Sequence, residues 1–536
     1  MYIEVNSKHI NNSGFRTFDN IKIFFKGYAI WNNRLHYNSE FDKIIYEHYK
    51  NNLLNTHYKR YNGIFNLIII ENNSITVIKD RWGIDPLYYI KKNDIITISD
   101  DWRFLSEKSN KEIKQNAFIE LLSFGYVLGN DTLIEEIKEF SPHTYYTISN
   151  GNGKINFDHY SYWSLEHNFP EKKKFNYEKE FTKIWDKQLD IYTDYIASNG
   201  NSVYIPFSGG LDCRLIANEL NKKNIDIYAL TYGASYNTIE IESAKEAIQY
   251  LKNAKDHYIL YLNKDKTKDI FQNTVSSHHS ITCAFPSELF YYYQKLNSNF
   301  SFVIPGYSGD FMAGSHLKYK MKFWKNKSDI INYIINFKSA PYLKELVKKN
   351  PKIKKQIEKR LLKVIPDSEN SISAFIRWDL EQRQRRYIAR SAYANINSDV
   401  KVLLPFFDYS LMDFFIDLPF DLLWNTKLYI NTQIKYLYKK NPQLIKAKRV
   451  GKTQKTIKYN FLYEYLPKIY DIILGLMGKQ KKAKRNLYED FDYSFLSNQI
   501  KLPDFNIPDN FENIKYPINR LYLYSISEAY KELIKK

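Results

Sequence analysis

Val203-Tyr204-Ile205-Pro206-Phe207-Ser208-Gly209-Gly210-Leu211-Asp212-Cys213-Arg214 is the stretch on which the fold turns. The apolar run 203–207 predicts a buried parallel strand that stops at Ser-Gly-Gly, and the amphipathic segment 215–220 predicts a helix just beyond it. A strand, a glycine turn and a helix start gather free backbone N–H groups and the positive end of a helix dipole at one point, which suits an anion such as phosphate. Gly209 and Gly210 let the backbone approach the ligand, and Ser208 adds a hydroxyl donor. Asp212 belongs in a phosphate site only if a divalent cation stands between the two charges.

Outward from this stretch the pattern alternates. A helix over 177–197 leads into it; 225–231 reads as strand, 240–251 as helix, 256–261 as strand, 286–296 as helix and 300–304 as strand. This order predicts a doubly wound parallel sheet, whose ligands lie beyond the carboxyl ends of its strands. Thr231-Tyr232-Gly233 and Pro305-Gly306-Tyr307-Ser308-Gly309-Asp310 fall at two such ends. From about Ser328 onward the chain reads as helical. Residues 1–165 read instead as β-rich, with strands expected over 21–28, 65–71, 74–79, 87–90 and 95–98. A charged, prolyl linker over 166–176 would join them to a second domain over 177–536.

With 536 residues the chain is too long for one core, so two domains are the default. No apolar run reaches the length of a membrane span, and the N-terminus lacks a signal-peptide pattern. The two cysteines, Cys213 and Cys283, make neither a disulfide framework nor a zinc site, which predicts a reduced, cytoplasmic location. The formal charge of +19 invites a nucleic-acid reading. The basic runs 320–327, 348–363 and 479–485 are interrupted and lie on helix-like segments, however, so they read as solvated helix faces. Nucleic acid is therefore not the expected partner.

The string Pro-Phe-Ser-Gly-Gly-Leu-Asp at 206–212 resembles the pyrophosphate loop of ATP pyrophosphatases, the nucleotide-binding half of asparagine synthetases and their relatives. Gly63-Ile64-Phe65-Asn66 and Lys79-Asp80-Arg81-Trp82-Gly83-Ile84-Asp85-Pro86-Leu87-Tyr88-Tyr89 are similar to the glutaminase domain of that family. Short matches continue in family order through Phe124-Gly125-Tyr126-Val127, Tyr162-Trp163, Glu240 and Ala244, His257 and Leu404-Pro405-Phe406-Phe407-Asp408. The resemblance implies an N-terminal αββα sandwich of the nucleophile-at-the-N-terminus type. An ATP-pyrophosphatase domain with a helical C-terminal half would follow it.

The resemblance also assigns roles. Phe207, Ser208, Gly209, Gly210, Leu211, Asp212, Tyr232, Gly233, Pro305 and Gly306 would contact ATP and its pyrophosphate, and Asp212 with Asp310 would hold Mg²⁺. His257 reads as a structural histidine. Tyr307 stands where asparagine synthetases carry glutamate and β-lactam synthetases carry tyrosine, so it would relay a proton with an oriented carboxylate, Glu381 or else Asp379. A lysine, Lys452 with Lys448 and Lys455 as competitors, would stabilise the anionic transition state. The family's glutaminase nucleophile is a cysteine at the second position; here it is Tyr2, a phenol with a pKa of about 10 that cannot replace a thiol nucleophile at neutral pH. The expectation is an ATP-dependent amide-forming ligase that makes an acyl-adenylate, releases pyrophosphate and has lost glutaminase activity. Its partners would be a small-molecule or peptide carboxylate and ammonia or an amine, with no membrane; a homodimer stays open. Glutamine-hydrolysing asparagine synthase, a lactam or lasso-peptide cyclase, a sugar-amidating enzyme and an inactive nucleotide-binding relative are the alternatives.

Overall fold

Near-continuous apolar runs in the N-terminal part build sheets that are buried on both faces. The structure, a computed structural model, describes residues 2–6, 14–72, 74–92, 95–151, 154–172, 174–233, 238–261, 300–393, 400–447, 522–527 and 530–531. A seven-stranded antiparallel sheet runs in the order β11-β10-β6-β5-β3-β2, with β4 paired to β3. Its strands are β2 (Arg16–Phe18), β3 (Ile21–Trp31), β4 (Arg34–Tyr37), β5 (Asn62–Glu71), β6 (Ser74–Lys79), β10 (Thr144–Gly151) and β11 (Lys154–Ser161). The second sheet runs β1 (Tyr2–Asn6), β8 (Ile95–Ser99), β7 (Tyr88–Lys92), β9 (Ile137–Glu139).

Period-two patterning decides how they stack. Ile23, Phe25, Phe65, Leu67 and Ile69 pack on Phe41, the residue before α1 (Asp42–Lys50), on Ile45 within it and on Leu54 of α2 (Leu54–His57). Their neighbours Phe24, Ile68, Ile75 and Val77 turn the other way, onto Ile96 and Ile98 of the second sheet. That sheet's outer face, Tyr88 and Ile90, meets Trp102 and Leu105 of α3 (Trp102–Glu107). The layers are helix, sheet, sheet, helix, the sandwich the sequence leads one to expect.

The central sheet is parallel throughout. Its order is β14 (Ala254–Tyr261), β13 (Asp226–Gly233), β12 (Ser202–Pro206), β15 (Phe302–Val303), β16 (Lys401–Val402). The fifth strand, from within the helical half, is absent from the sequence reading because two residues carry no period. Val203, Ile205, Ile227 and Ala229 face a core shared with α5 (Tyr177–Ser198), α6 (Leu211–Lys222) and α7 (Ile239–Ile248). Tyr204, Leu230, Leu260 and Val303 face the other side. The helix expected over 286–296 lies outside the described residues.

Helix α6 begins at Leu211, four residues before the expected 215, because Gly210 holds an extended conformation and acts as its N-cap. The basic run 348–363 lies on helices Pro341–Lys349 and Pro351–Val364, which bury Leu343, Leu346, Ile353, Ile357 and Leu361 and leave the lysines outside, while 479–485 lies outside the described residues. Segment 166–176 is strapped down where it passes the helix Ser371–Trp378, since Ser373 Oγ donates to Glu166 and accepts from the backbone N–H of His167. One hydrophobic core runs from Trp82 and Phe118 of the N-terminal half to Phe207, Phe311 and Trp378 of the C-terminal half.

Candidate active site

Three contacts fix the end of β12. Phe207 donates its N–H to Leu230 O at 2.8 Å, and Thr231 Oγ1 donates to Phe207 O at 2.5 Å. His257 Nε2 lies 2.8 Å from Thr231 Oγ1; with that hydroxyl proton spent on Phe207, the imidazole is the donor. Burial pushes this imidazole down to about 4, so it stays neutral. His257 is a strut for the loop, in line with its structural reading.

Gly209 sits at φ +71°, and a Cβ there would lie 2.4 Å from Ser243 Oγ and 2.7 Å from Ala244 N. Only glycine meets both conditions. Ser208 is exposed and accepts from Gly210 N–H at 3.3 Å. The first turn of α6 thus opens beside an accessible hydroxyl, the arrangement that binds an anion. A residue the sequence reading missed secures the loop from behind. Arg214, fully buried, donates from Nε to Gly209 O at 2.8 Å, from one terminal nitrogen to Ser243 Oγ at 3.1 Å, and from the other to Ala447 O at 3.2 Å and to Leu444 O. Its acceptors lie on three separated segments, so no local motif could announce it. Cys213 donates its thiol to Gly210 O at 3.1 Å, and burial pushes it above its ordinary range, so it is packing rather than a nucleophile.

Asp212, in the first turn of α6, meets Asp310 across the sheet, and the backbone N–H of Asp310 donates to the Asp212 carboxylate. Tyr429 Oη and Gln433 Nε2 both donate to Asp212 Oδ1 at 2.7 Å. Burial first, and then the charge of Asp310, push the Asp212 carboxyl up to about 7. Glycine again permits the approach: a Cβ on Gly309 would lie 3.0 Å from Asp212 Cγ and 2.7 Å from Tyr429 Oη. Ser308 just before it adopts φ +66°, a left-handed conformation rare outside glycine and asparagine. Two carboxylates close enough for the charge of Asp310 to push up the Asp212 carboxyl are a fit for Mg²⁺. That ion takes one or two protein carboxylates and completes its shell with water and phosphate oxygens. Among the described residues no group of three or more His, Cys, Asp or Glu side chains gathers at one point.

The remaining expected residues divide. Pro305 is buried and Gly306 packs on Asp212, where a Cβ would lie 3.3 Å from Asp212 Cβ. Gly233 closes β13 where a Cβ would meet Thr238 Oγ1, the N-cap of α7, at 2.7 Å. Tyr232 joins Tyr204, Tyr228, Tyr258 and Tyr307 on one face of the sheet. Glu381, the expected partner of Tyr307, has two other partners in the structure. Glu381 is held by Arg377 Nε at 2.7 Å, one turn away on its own helix, and lies 3.2 Å from His143 Nε2 of the N-terminal half; these partners keep its carboxyl down at about 2. The second candidate, Asp379, is engaged by His316 and Lys338. The Tyr307 hydroxyl lies 3.4 Å from Ser391 Oγ, and neighbouring Ser308 donates to Gln384 Oε1 at 3.0 Å. Lys448, Lys452 and Lys455 lie outside the described residues.

Comparison with known proteins bears on the same two regions. A family model described as a glutamine amidotransferase domain matches residues 31–163, and one described as asparagine synthase matches residues 201–454. No curated protein matches the sequence. Among solved structures, the NH3-dependent NAD synthetase from Campylobacter jejuni in complex with the nitrate ion is similar at 16% identity. The likeness covers 34% of this chain and 93% of that one with a TM-score of 0.19, too low to carry an argument. The amidotransferase and synthase matches stand in the order of the two folded regions, with the Ser208–Asp212 loop and Asp310 inside the second: the chain belongs to the asparagine synthetase family.

Proposed function

We propose that this chain is an ATP-dependent ligase that activates a carboxylate as an acyl-adenylate and passes the acyl group to ammonia or a substrate amine. The observation that carries the reading is the apposition of Asp212 and Asp310 at the carboxyl ends of two adjacent strands, beside an open helix start. Ser208, Gly209, Gly210 and the first turn of α6 bind the pyrophosphate portion of ATP through N–H and hydroxyl groups. Mg²⁺, held by Asp212 and Asp310, supplies neutralisation of the charge that builds on the leaving pyrophosphate. Gly306 and Gly309 keep the second loop within contact of the first, so that phosphate and cation share one point. Tyr232 and Gly233 line the nucleotide side, and Lys452 serves the anionic transition state. The attack of a carboxylate oxygen on the α-phosphorus breaks the α–β bridge and releases pyrophosphate; aminolysis then expels AMP.

Glutamine hydrolysis is read as lost. The first 165 residues contain no cysteine at all, the two in the chain being Cys213 and Cys283. Nitrogen then comes from free ammonia or an amine on the substrate. Tyr307 would take a proton from that amine.

The test is carboxylate-dependent ATP–pyrophosphate exchange with a panel of candidate acids, alongside glutamate release from glutamine. Exchange with at least one acid and no glutamate release are expected. Asp212→Asn and Asp310→Asn should each abolish exchange in a folded protein. Absence of exchange with every acid, together with no binding of ATP, would overturn the ligase reading.

A further inference from the structure

Segment 377–391, a helix whose stretch Asp379–Ile388 has the wide turns of a π-helix, lies between the two halves of the molecule and touches both. One side drives three guanidiniums into the N-terminal half. Arg390 and Arg385 reach Glu139 Oε1 at 2.5 and 3.2 Å, and Arg386 reaches Oε2 at 2.7 Å, with all four side chains essentially without solvent access. Arg385 also donates Nε to Glu381 O on its own helix at 2.7 Å, and the other two arginines reach carbonyls of the N-terminal half. Arg390 takes Ile84 at 2.9 Å and Gly83 at 3.1 Å, while Arg386 takes Val127 at 3.0 Å and Gly129. Three buried cations on one carboxylate make Glu139 the group on which this face depends; without it their desolvation has no ionic return.

The other side of the segment faces the second loop of the site. Gln384 is buried, and its amide is oriented by two neighbours. Asp379 can only accept, so Nε2 points to it at 3.5 Å, and Oε1 therefore receives the hydroxyl of Ser308 at 3.0 Å. Asp379 is itself pinned by His316 at 3.0 Å and Lys338 at 2.5 Å. Ser308 is the residue in the left-handed conformation, two places before Asp310. A strained residue holds such a conformation only when its surroundings over-determine it. Ser391, on the same segment, lies against the hydroxyl of Tyr307.

We propose that Glu139, on a strand of the N-terminal half, is a positioning residue for the synthetase site. By fixing Arg385, Arg386 and Arg390 it sets the helix that presents Gln384 and Ser391 to the loop, and so sets where Ser308 and Asp310 stand. The N-terminal half thereby has a task in amide synthesis that needs no nucleophile. The kinetic part rests on the ligase reading above; the conformational part does not.

The experiment uses the full chain without nucleotide and follows backbone amide hydrogen exchange by mass spectrometry in wild type, Glu139→Gln, Gln384→Leu and the double variant. Each single variant should speed exchange in peptides carrying the amides of Asp310, Met312 and Ala313 by about tenfold, and the double should add little, because both cut one chain of contacts. If Glu139→Gln does not fold, Glu139→Asp keeps the charge with a shorter reach and should show the same shift, smaller. In ATP–pyrophosphate exchange the same variants should lose about tenfold in kcat with KM for ATP changed less than about twofold. Unchanged exchange at the loop in a folded Glu139 variant, or single effects that multiply in the double, would overturn the proposal. A wild type that exchanges no pyrophosphate would remove the ligase reading and leave the amide-exchange result standing.

Discussion

Tyr429 donates its hydroxyl to Asp212 Oδ1 at 2.7 Å, although the two residues stand 217 positions apart in sequence. The phenol is fully enclosed, and Gln433, one turn further along the helix Lys427–Lys440, donates to the same oxygen. The helical half therefore orients a carboxylate that belongs to the pyrophosphate loop. Tyr429→Phe keeps the ring and deletes the donor. A hydrogen bond to a charged group contributes about 1.5–3 kcal/mol, so half-saturation by Mg²⁺ should rise roughly tenfold, with Gln433 retaining part of the effect. A Mg²⁺ titration of pyrophosphate exchange checks this; an unchanged midpoint would detach Tyr429 from the cation site.

The crowding of Asp212 and Asp310 gives a pH signature in the ligand-free protein. The folded carboxyl of Asp212 is raised to about 7, by burial and then by Asp310, above its ordinary value of about 3.9 in an unfolded chain. The folded state thus holds a proton that the unfolded state has released, and stability contributed by this group is lost as pH rises from about 4 to about 7. Asp212→Asn removes that slope and turns an amide toward Asp310. It should be catalytically inert yet more stable than wild type at pH 8 by about 1–2 kcal/mol, after discounting for partial solvent access. Thermal unfolding of both proteins at pH 5 and pH 8 tests it; equal differences at the two values would exclude Asp212 as the source.

Gly209 tolerates no side chain. Its φ of +71° costs an L-residue about 1–2 kcal/mol, and the Cβ would come within 2.7 Å of the Ala244 backbone nitrogen. Gly209→Ala should lower the melting temperature by several degrees and abolish ATP binding in calorimetry. Adding Ser243→Ala clears the hydroxyl but not the backbone, so the double variant should recover little. Full recovery would place the conflict in the hydroxyl alone.

Much of this fold lies open in the sequence because it rests on local patterns. Period-two runs give the sandwich layers around Phe24 and Phe25, and a strand, two glycines and a helix start give the pyrophosphate loop. Asp310 is legible through the family resemblance, which singles it out at the carboxyl end of the strand beside β12. The failures share one cause, since partners are chosen in three dimensions. Glu381 looked like a catalytic carboxylate on a charged helix, yet Arg377 one turn away and His143 in another half claim it. Arg214 follows the signature loop directly, but its role depends on carbonyls more than two hundred residues downstream. Glu139, the buried anion for three arginines, closes a three-residue strand with no motif around it.

The different surroundings of Tyr307 and Glu381 separate two steps of the proposed reaction. The Tyr307 hydroxyl stands on the loop that carries Asp310, beside Ser391, at the end of the parallel sheet. Tyr307→Phe should therefore leave pyrophosphate exchange within about twofold of wild type and slow amide formation by about 10²-fold, the contribution typical of one proton-transfer group. Glu381→Gln acts elsewhere: it weakens the Arg377 and His143 contacts, so it should lower the melting temperature while sparing both half-reactions within about threefold. Measuring exchange and amide product in parallel for both variants decides the matter. Equal loss of the two steps in Tyr307→Phe would make the tyrosine a packing residue. Selective loss of amide formation in Glu381→Gln would return the carboxylate to the proton relay.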